Sequence, residues 1–298
     1  METTIKKIAR LSAKSIEKCI FVQTIGQFME NEVKISDWIN QQLANGRYTF
    51  TLSYLQSHMP GRSDVSIKMA LNRLVDKHII ASVYKGFYVI IPPAYRNLGI
   101  LPPAMFIDEM MEYLRRPYYV SLLSAAALLG AAHQQPQVHF VCTSLPTMRD
   151  TQKNGIRIKY VSKRGFPGSH IIQKKTESGY VNISDPVLTC IDLINYHKTI
   201  GGINRAATVI NELSEEIDIN AIDKDILSLS PKADIQRLGY LWEYECSQPE
   251  LADALFGIVK NGSHLTKRYK LDPSKVFQKQ ESPNRWKINV NTSIEIDE

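Results

Sequence analysis

Cysteine is scarce in this chain, and the four present, Cys19, Cys142, Cys190 and Cys246, lie far apart with no Cys-x-x-Cys pair. A disulfide scaffold or structural zinc site needs paired or closely spaced thiols, so the spacing points to free buried thiols in a reducing compartment. No uninterrupted apolar run reaches the roughly 18 residues of a membrane-spanning helix. The nearest approach, residues 118–132, contains Ser121 and Ser124 and runs into His133-Gln134-Gln135-Pro136, so it reads as a buried helix. The basic stretch 6–18 lacks the apolar centre and small-residue cleavage site of a secretory signal. A cytoplasmic protein without membrane contact is the expectation.

The motifs of common catalysis are missing too. There is no Gly-x-x-x-x-Gly-Lys loop, dinucleotide fingerprint, His-Glu-x-x-His or Gly-x-Ser-x-Gly. His133, His139 and Cys142 are neighbours in sequence, but without accompanying carboxylates their spacing does not suit a metal. Asp185, Asp192, Asp223 and Asp225 read as helix caps and solvent-facing acids rather than a nuclease cluster. The expectation is a protein that is no enzyme and holds no cofactor or metal.

What is present is an ordinary globular composition, 298 residues with 44% hydrophobic and 22% charged, long enough for two domains. The net charge of +6 is unevenly placed. Residues 1–90 hold 12 Lys/Arg against 7 Asp/Glu, and residues 149–175 hold eight basic residues against the single acid Asp150. Such clusters favour an anionic partner when they share a face, and are otherwise solvated surface.

Pro92-Pro93 and Pro102-Pro103 bracket a stretch that can neither continue a helix nor donate to a ladder, so an extended connector is expected there. Before it, Ser36-Asp37 starts a helix that Asn45-Gly46 stops. Tyr48-Thr49-Phe50 is β-prone, Thr51 caps a second helix ended by Pro60-Gly61, and Ser63 caps a third running to about Lys77. Two β-rich runs, 79–84 and 87–91, follow around Lys85-Gly86, a two-residue hairpin turn. This is the order of a winged helix-turn-helix. After the connector, residues 104–115 and 118–132 read as helices and 137–143, 156–161, 169–175 and 180–183 as strands. Asp185-Pro186 opens a helical stretch to about Val259, and residues 285–290 close with a β-like run. The expected class is α+β, a winged helix-turn-helix followed by a larger mixed α/β domain that is not doubly wound. The boundaries are 1–35 for an N-terminal helical extension, 36–92 for the winged helix, 93–103 for the connector and 104–298 for the α/β domain.

Helical periodicity puts Ile67, Ala70, Leu71 and Leu74 on the back of the third helix, with Val65, Met69, Asn72 and Arg73 in front, flanked by Ser66 and Lys68. A major groove accepts such a front: Arg takes a guanine edge, Asn an adenine edge, and Ser63 and Ser66 near the N-terminus can donate to phosphate. Arg62 precedes the helix and Lys85 tips the hairpin, both within reach of the backbone, whereas Asp76 repels phosphate at the helix end. The candidate DNA-binding set is therefore Arg62, Ser63, Ser66, Lys68, Met69, Asn72, Arg73 and Lys85. A second basic surface is expected from Arg157, Lys159, Lys163, Arg164, Lys174 and Lys175, because strand alternation puts the charges of Ile156-Arg157-Ile158-Lys159-Tyr160 on one face. It can meet phosphate, meet an acidic protein, or simply solubilise a sheet.

Three groups of residues resemble the AbiEi family of antitoxins. Tyr48-Thr49-Phe50-Thr51, Ala70-Leu71-Asn72-Arg73-Leu74-Val75 and Gly86-Phe87-Tyr88-Val89-Ile90 are similar to its N-terminal winged helix. Residues 118–130 with Pro136-Gln137-Val138 resemble the opening of its C-terminal domain. Ile183-Ser184-Asp185-Pro186, Ile191-Asp192-Leu193 and Arg237-Leu238-Gly239-Tyr240-Leu241 resemble its later landmarks. The resemblance implies that 104–298 is an antitoxin domain and that the winged helix binds inverted repeats in the double-stranded DNA of its own promoter as an autorepressor. It also implies neutralisation of a cognate nucleotidyltransferase toxin without a required stable complex, in phage defence by abortive infection. Residues 1–35 depart from the family pattern as an extra segment. The alternatives are a winged helix that binds protein and, further off, a restriction-type nuclease.

Overall fold

The computed structural model describes residues 34–131, 136–153, 155–260, 263–276 and 283–296. Nearly all of the expected extension 1–35 therefore lies outside the described residues, as do Cys19 and His133.

Helix α1 (Ile35–Ala44) buries Ile35, Trp38, Ile39 and Gln42, the i, i+3, i+4, i+7 stripe of a helix with one dry side. Strand β1 (Thr49–Thr51) leads into α2 (Leu52–Ser57), whose first turn is closed by the Thr51 hydroxyl accepting from the Tyr54 N–H at 3.1 Å. Ser63 does the same for α3 (Asp64–Asp76), accepting from the Ser66 N–H at 3.3 Å. Strands β2 (Ile80–Tyr84) and β3 (Phe87–Ile90) form an antiparallel hairpin around Lys85-Gly86, and β1 pairs on the far side of β3, giving the order β1-β3-β2. Ile67, Leu71 and Leu74 of α3 join Trp38, Phe50, Leu55, Ile80 and Ile90 in one core, with Trp38 edge-on to Phe50 at 5.4 Å.

The hairpin has a second dry face. Ala81, Val83, Phe87 and Val89 point away from that core into another, shared with Leu101, Met105, Phe106, Met110 and Met111 and with strands of the larger sheet. Polar contacts pin the same seam. The Thr49 hydroxyl donates to Glu109, Tyr113 donates to the Lys85 carbonyl at 3.2 Å, and Lys153 donates to the Ser82 hydroxyl at 3.2 Å. A side chain at Gly86 would meet the Tyr113 hydroxyl at 2.9 Å, and the positive φ of 77° there suits glycine in any case.

The connector is not the extended strip expected. Pro93–Tyr95 and Pro103–Met105 are single 3-10 turns, which proline at the first position favours, and Leu101 between them is fully buried. Apolar residues of the connector fill the shared core and so keep it from behaving as a spacer.

The larger part is built on a six-stranded mixed sheet: β4 (Tyr118–Val120), β5 (His139–Ser144), β6 (Thr151–Lys153), β7 (Ile156–Lys163), β8 (Ile171–Thr176) and β9 (Gly179–Ser184), in the order β6-β7-β5-β4-β9-β8. Residues 118–120, expected at the start of a helix, are a central strand. Tyr118 and Val120 face the hairpin and α4 (Ile107–Tyr113), while Tyr119 faces a helical layer on the other side. A strand buried on both faces carries no alternation and reads like helix. The helical layer comprises α5 (Leu122–Leu129), α6 (Pro186–Asn195), α7 (His197–Ile200), α8 (Ile203–Ser214), α9 (Ile226–Leu229), α10 (Lys232–Tyr240) and α11 (Pro249–Val259). Asp185 opens α6, accepting from the Leu188 N–H at 2.8 Å, with Pro186 in the first turn as expected. Strands β10 (Tyr269–Lys270) and β11 (Ile288–Asn289) pair in parallel beside α10. The three described cysteines, Cys142, Cys190 and Cys246, are free and buried. Among the described residues no helix is long and apolar enough to cross a membrane.

The tail is held by one indole. Trp286 is fully buried, its Nε1 donates to Glu243 at 2.7 Å, and Gln236 donates to its carbonyl at 2.5 Å. Its ring lies on Gly239 so closely that a Cβ there would sit 2.2 Å from it. Gly239→Ala should therefore destabilise the protein by about 1–3 kcal/mol through overpacking. Gly257→Ala in α11, where the space is open, should be neutral or mildly stabilising. Thermal melts of the two variants check this, and equal melting temperatures would refute the close packing.

Candidate nucleic-acid interface

The expected DNA-binding residues fall where the third helix meets solvent. Ser63, Ser66, Lys68, Met69, Asn72 and Arg73 are exposed, Arg62 is half-buried, and Lys85 is exposed at the hairpin tip with its backbone carbonyl held by Tyr113. The back of α3 is used up in the core, with Ile67 and Leu71 at 1% and 0% exposure. Rotation about the helix axis is thereby fixed, and among the described residues the front of α3 stays in solvent. Ser63 accepts from its own helix yet keeps a hydroxyl proton to give. An element of the site that the sequence reading passed over is Asp64 in the first turn of α3, which Gln56 draws back toward α2 at 2.6 Å. Together with exposed Asp76, it confines positive potential to the middle of the helix.

The second basic surface is not one surface. Arg157 and Lys159 lie on β7 near one end of the sheet, and Lys174 and Lys175 lie on β8 at the opposite edge, with β5, β4 and β9 between. Four strand spacings make that roughly 19 Å. Arg164 is exposed in the loop after β7. Lys163 must be removed from the set altogether. It is 7% exposed, its Nζ lies 2.5 Å from Asp192 and donates to the Leu229 carbonyl at 3.0 Å. It shares a strand face with Arg157 and Lys159, but the helical layer covers that face toward the end of β7. Lys153 was missed because its strand, β6, is only three residues long; it reaches the hairpin at Ser82.

Asp192 is correspondingly no solvent-facing acid. Fully buried on α6, it takes the Lys163 ammonium on one oxygen and the Tyr119 hydroxyl, at 2.8 Å, on the other. Burial pushes its pKa up, and the lysine charge opposes that rise. Asp185 caps α6 and also meets His170 Nδ1 at 2.7 Å; that hydrogen bond holds the imidazole above its ordinary range. Asp223 accepts from the Asp225 N–H at 2.8 Å, a local turn. Burial lowers the His139 pKa to about 4 and raises that of Cys142 to about 12, so neither is tuned for chemistry near neutrality. Among the described residues, no three His, Cys, Asp or Glu side chains gather as a metal site. A cleft of about 300 Å³ opens beside α4, lined by Asp108, Glu112, Arg116, Tyr118 and Asn182 among others. Its polar groups are largely spent on structure: Tyr118 donates to Asp108 at 2.6 Å, and Arg116 donates to the Ser144 and Pro146 carbonyls at 2.8 and 2.6 Å.

Residues 119–244 match the family model of the AbiEi antitoxin C-terminal domain. This segment is an AbiEi antitoxin domain. The AbiEi domain begins at Tyr119, one partner of Asp192, and takes in β5 to β9 and helices α5 to α10. Its landmark residues have structural work: Asp185 caps α6, Arg237 bridges Asp234 at 2.6 Å and the Lys270 carbonyl at 2.9 Å, and Gly239 receives Trp286. No curated protein matches the chain. Among solved structures, the chain is similar in fold to the RV2827C protein of Mycobacterium tuberculosis, with a TM-score of 0.63 over 85% of this chain and 89% of that one. At 15% identity the likeness is one of fold alone.

Removing one partner from a buried ion pair strands the other. Asp192→Ala should cost about 3–5 kcal/mol of stability, and the double change Lys163→Met with Asp192→Leu markedly less. Denaturant unfolding of both variants measures the difference. A single variant no worse than the double would mean that the pair is not desolvated.

Proposed function

We propose that the chain is a non-enzymatic, cytoplasmic antitoxin and transcriptional autorepressor of a phage-defence, abortive-infection system. Residues 36–92 act as a winged helix-turn-helix on double-stranded DNA carrying inverted repeats in its own promoter. The AbiEi domain neutralises a nucleotidyltransferase toxin, with no stable complex required. The observation that carries the DNA reading is the division of α3 into a back locked in the core and a front of Ser66, Lys68, Asn72 and Arg73 left in solvent beside the hairpin. On DNA, Arg62, Lys68 and Lys85 anchor phosphates and Ser63 donates to the backbone, while Ser66, Met69, Asn72 and Arg73 read base edges.

Fluorescence anisotropy with the promoter duplex against a scrambled one, over a salt series, tests the proposal. A preference on the order of a hundredfold or more at physiological salt is expected of a specific regulator. Weak, steeply salt-dependent binding to both duplexes would leave only a basic surface and transfer the search to protein partners.

Two substitutions divide the roles. Arg73→Ala should lose about 1–3 kcal/mol on the promoter and relax its sequence preference. Binding of both duplexes as by the wild type would remove Arg73 from base reading. Lys85→Ala should weaken promoter and scrambled DNA alike and flatten the salt dependence by about one phosphate contact. An unchanged slope would exclude Lys85 from the contact.

A further inference from the structure

The front of α3 carries two apolar side chains that the described residues leave exposed. Val65 is 67% and Met69 53% exposed, whereas Ile67, Leu71 and Leu74, the apolar residues of the back, are buried. Val65, Met69 and Asn72 follow one another at i, i+4, i+7, so they form a single stripe along the helix, with Lys68 on one flank and Arg73 on the other. The stripe starts in the first turn, the part of a recognition helix that lies deepest over base edges.

Resting on the reading of α3 as a DNA-reading helix, we propose that Val65 and Met69 recognise thymine methyl groups. The operator half-site then presents thymines to the first two turns of α3, next to the bases read by Asn72 and Arg73. Thymine is the one base whose major-groove edge is partly apolar, through its C5 methyl. An apolar side chain gains by drying that methyl, and against the amino group of cytosine or adenine it leaves a donor without a partner. Valine, stiff at χ1, fixes one contact, and the flexible thioether of Met69 adapts to the next base step. Charge favours this occupant over a second copy of the chain. Two α3 fronts brought together would set Lys68 and Arg73 of both copies against one another, whereas DNA phosphates neutralise them.

The test uses the full-length protein and promoter duplexes in which thymines are replaced one at a time by deoxyuridine, which removes the methyl and keeps the pairing. Wild-type protein is expected to lose about fourfold in affinity at particular positions of each half-site, the worth of one buried methyl group. Val65→Ala and Met69→Ala should each abolish the penalty at its own position, and Asn72→Ala should leave it in place. Thermal melting verifies that these exposed-site variants fold. If the protein prefers its promoter a hundredfold yet binds every deoxyuridine duplex as tightly as the thymine one, the methyl assignment is overturned and the DNA reading stands. If there is no promoter preference, both fall. A dimer seen by sedimentation without DNA and lost in Met69→Ala would also overturn the assignment and give the stripe to a second copy.

Discussion

One hairpin serves two cores, and the arrangement of the molecule follows from that. Ile80 and Ile90 close the core under α3, while Ala81, Val83, Phe87 and Val89, from the same two strands, pack toward the six-stranded sheet. Domains in one chain usually meet through modest polar interfaces and move against one another. Here the interface is continuous with the interior of both parts, and Leu101 from the connector sits in it. The direction in which α3 presents its front is therefore set by the sheet. A change in the larger part that moved the hairpin would move the helix with it.

The sheet is fixed from the other side by a charge that cannot leave. Lys163 at the end of β7, Tyr119 on β4 and Asp192 on α6 join two strands to a helix, and the Leu229 carbonyl adds the segment before α10. Apolar side chains of equal volume would hold these elements as well or better, since desolvating two charges is expensive. What the ionic group adds is direction. The lysine and the carboxylate meet in the one register of α6 over β7 that the fold adopts, and a shift of either element would leave a buried charge without its partner.

Where local chemistry decides the structure, the sequence was legible. Ser63 with the 3.6-residue period of Ile67, Leu71 and Leu74 located α3 and its outward face, and Asp185-Pro186 located the start of α6. Lys85-Gly86 located the hairpin turn. Where distant parts decide, it was not. Tyr118-Tyr119-Val120 runs into the apolar helix α5, and only the flanking strands β5 and β9 make it a strand. Lys163 joins the basic set by its charge and its place in the sequence, neither of which carries information about which end of β7 a helix covers. The prolines at 92–93 and 102–103 signalled a break, whereas the burial of Leu101 between them depends on a core assembled from elsewhere. Val65 and Met69 were visible as outward-facing, and the extent of their exposure required the fold.

Strand β8 ends the sheet with six residues, none of them buried, and among the described residues no strand pairs beyond it. An open edge of that length offers its unpaired N–H and C=O groups to any other extended chain, the first step of aggregation. Lys174 and Lys175 stand at its centre. Two copies aligned edge to edge in antiparallel register would bring lysines of both copies close on each face of the seam, two ammonium groups to a face, and the backbone hydrogen bonds gained would be set against that repulsion. Exposed on that edge, these lysines work against pairing: they discourage an incomplete sheet from completing itself with a neighbour.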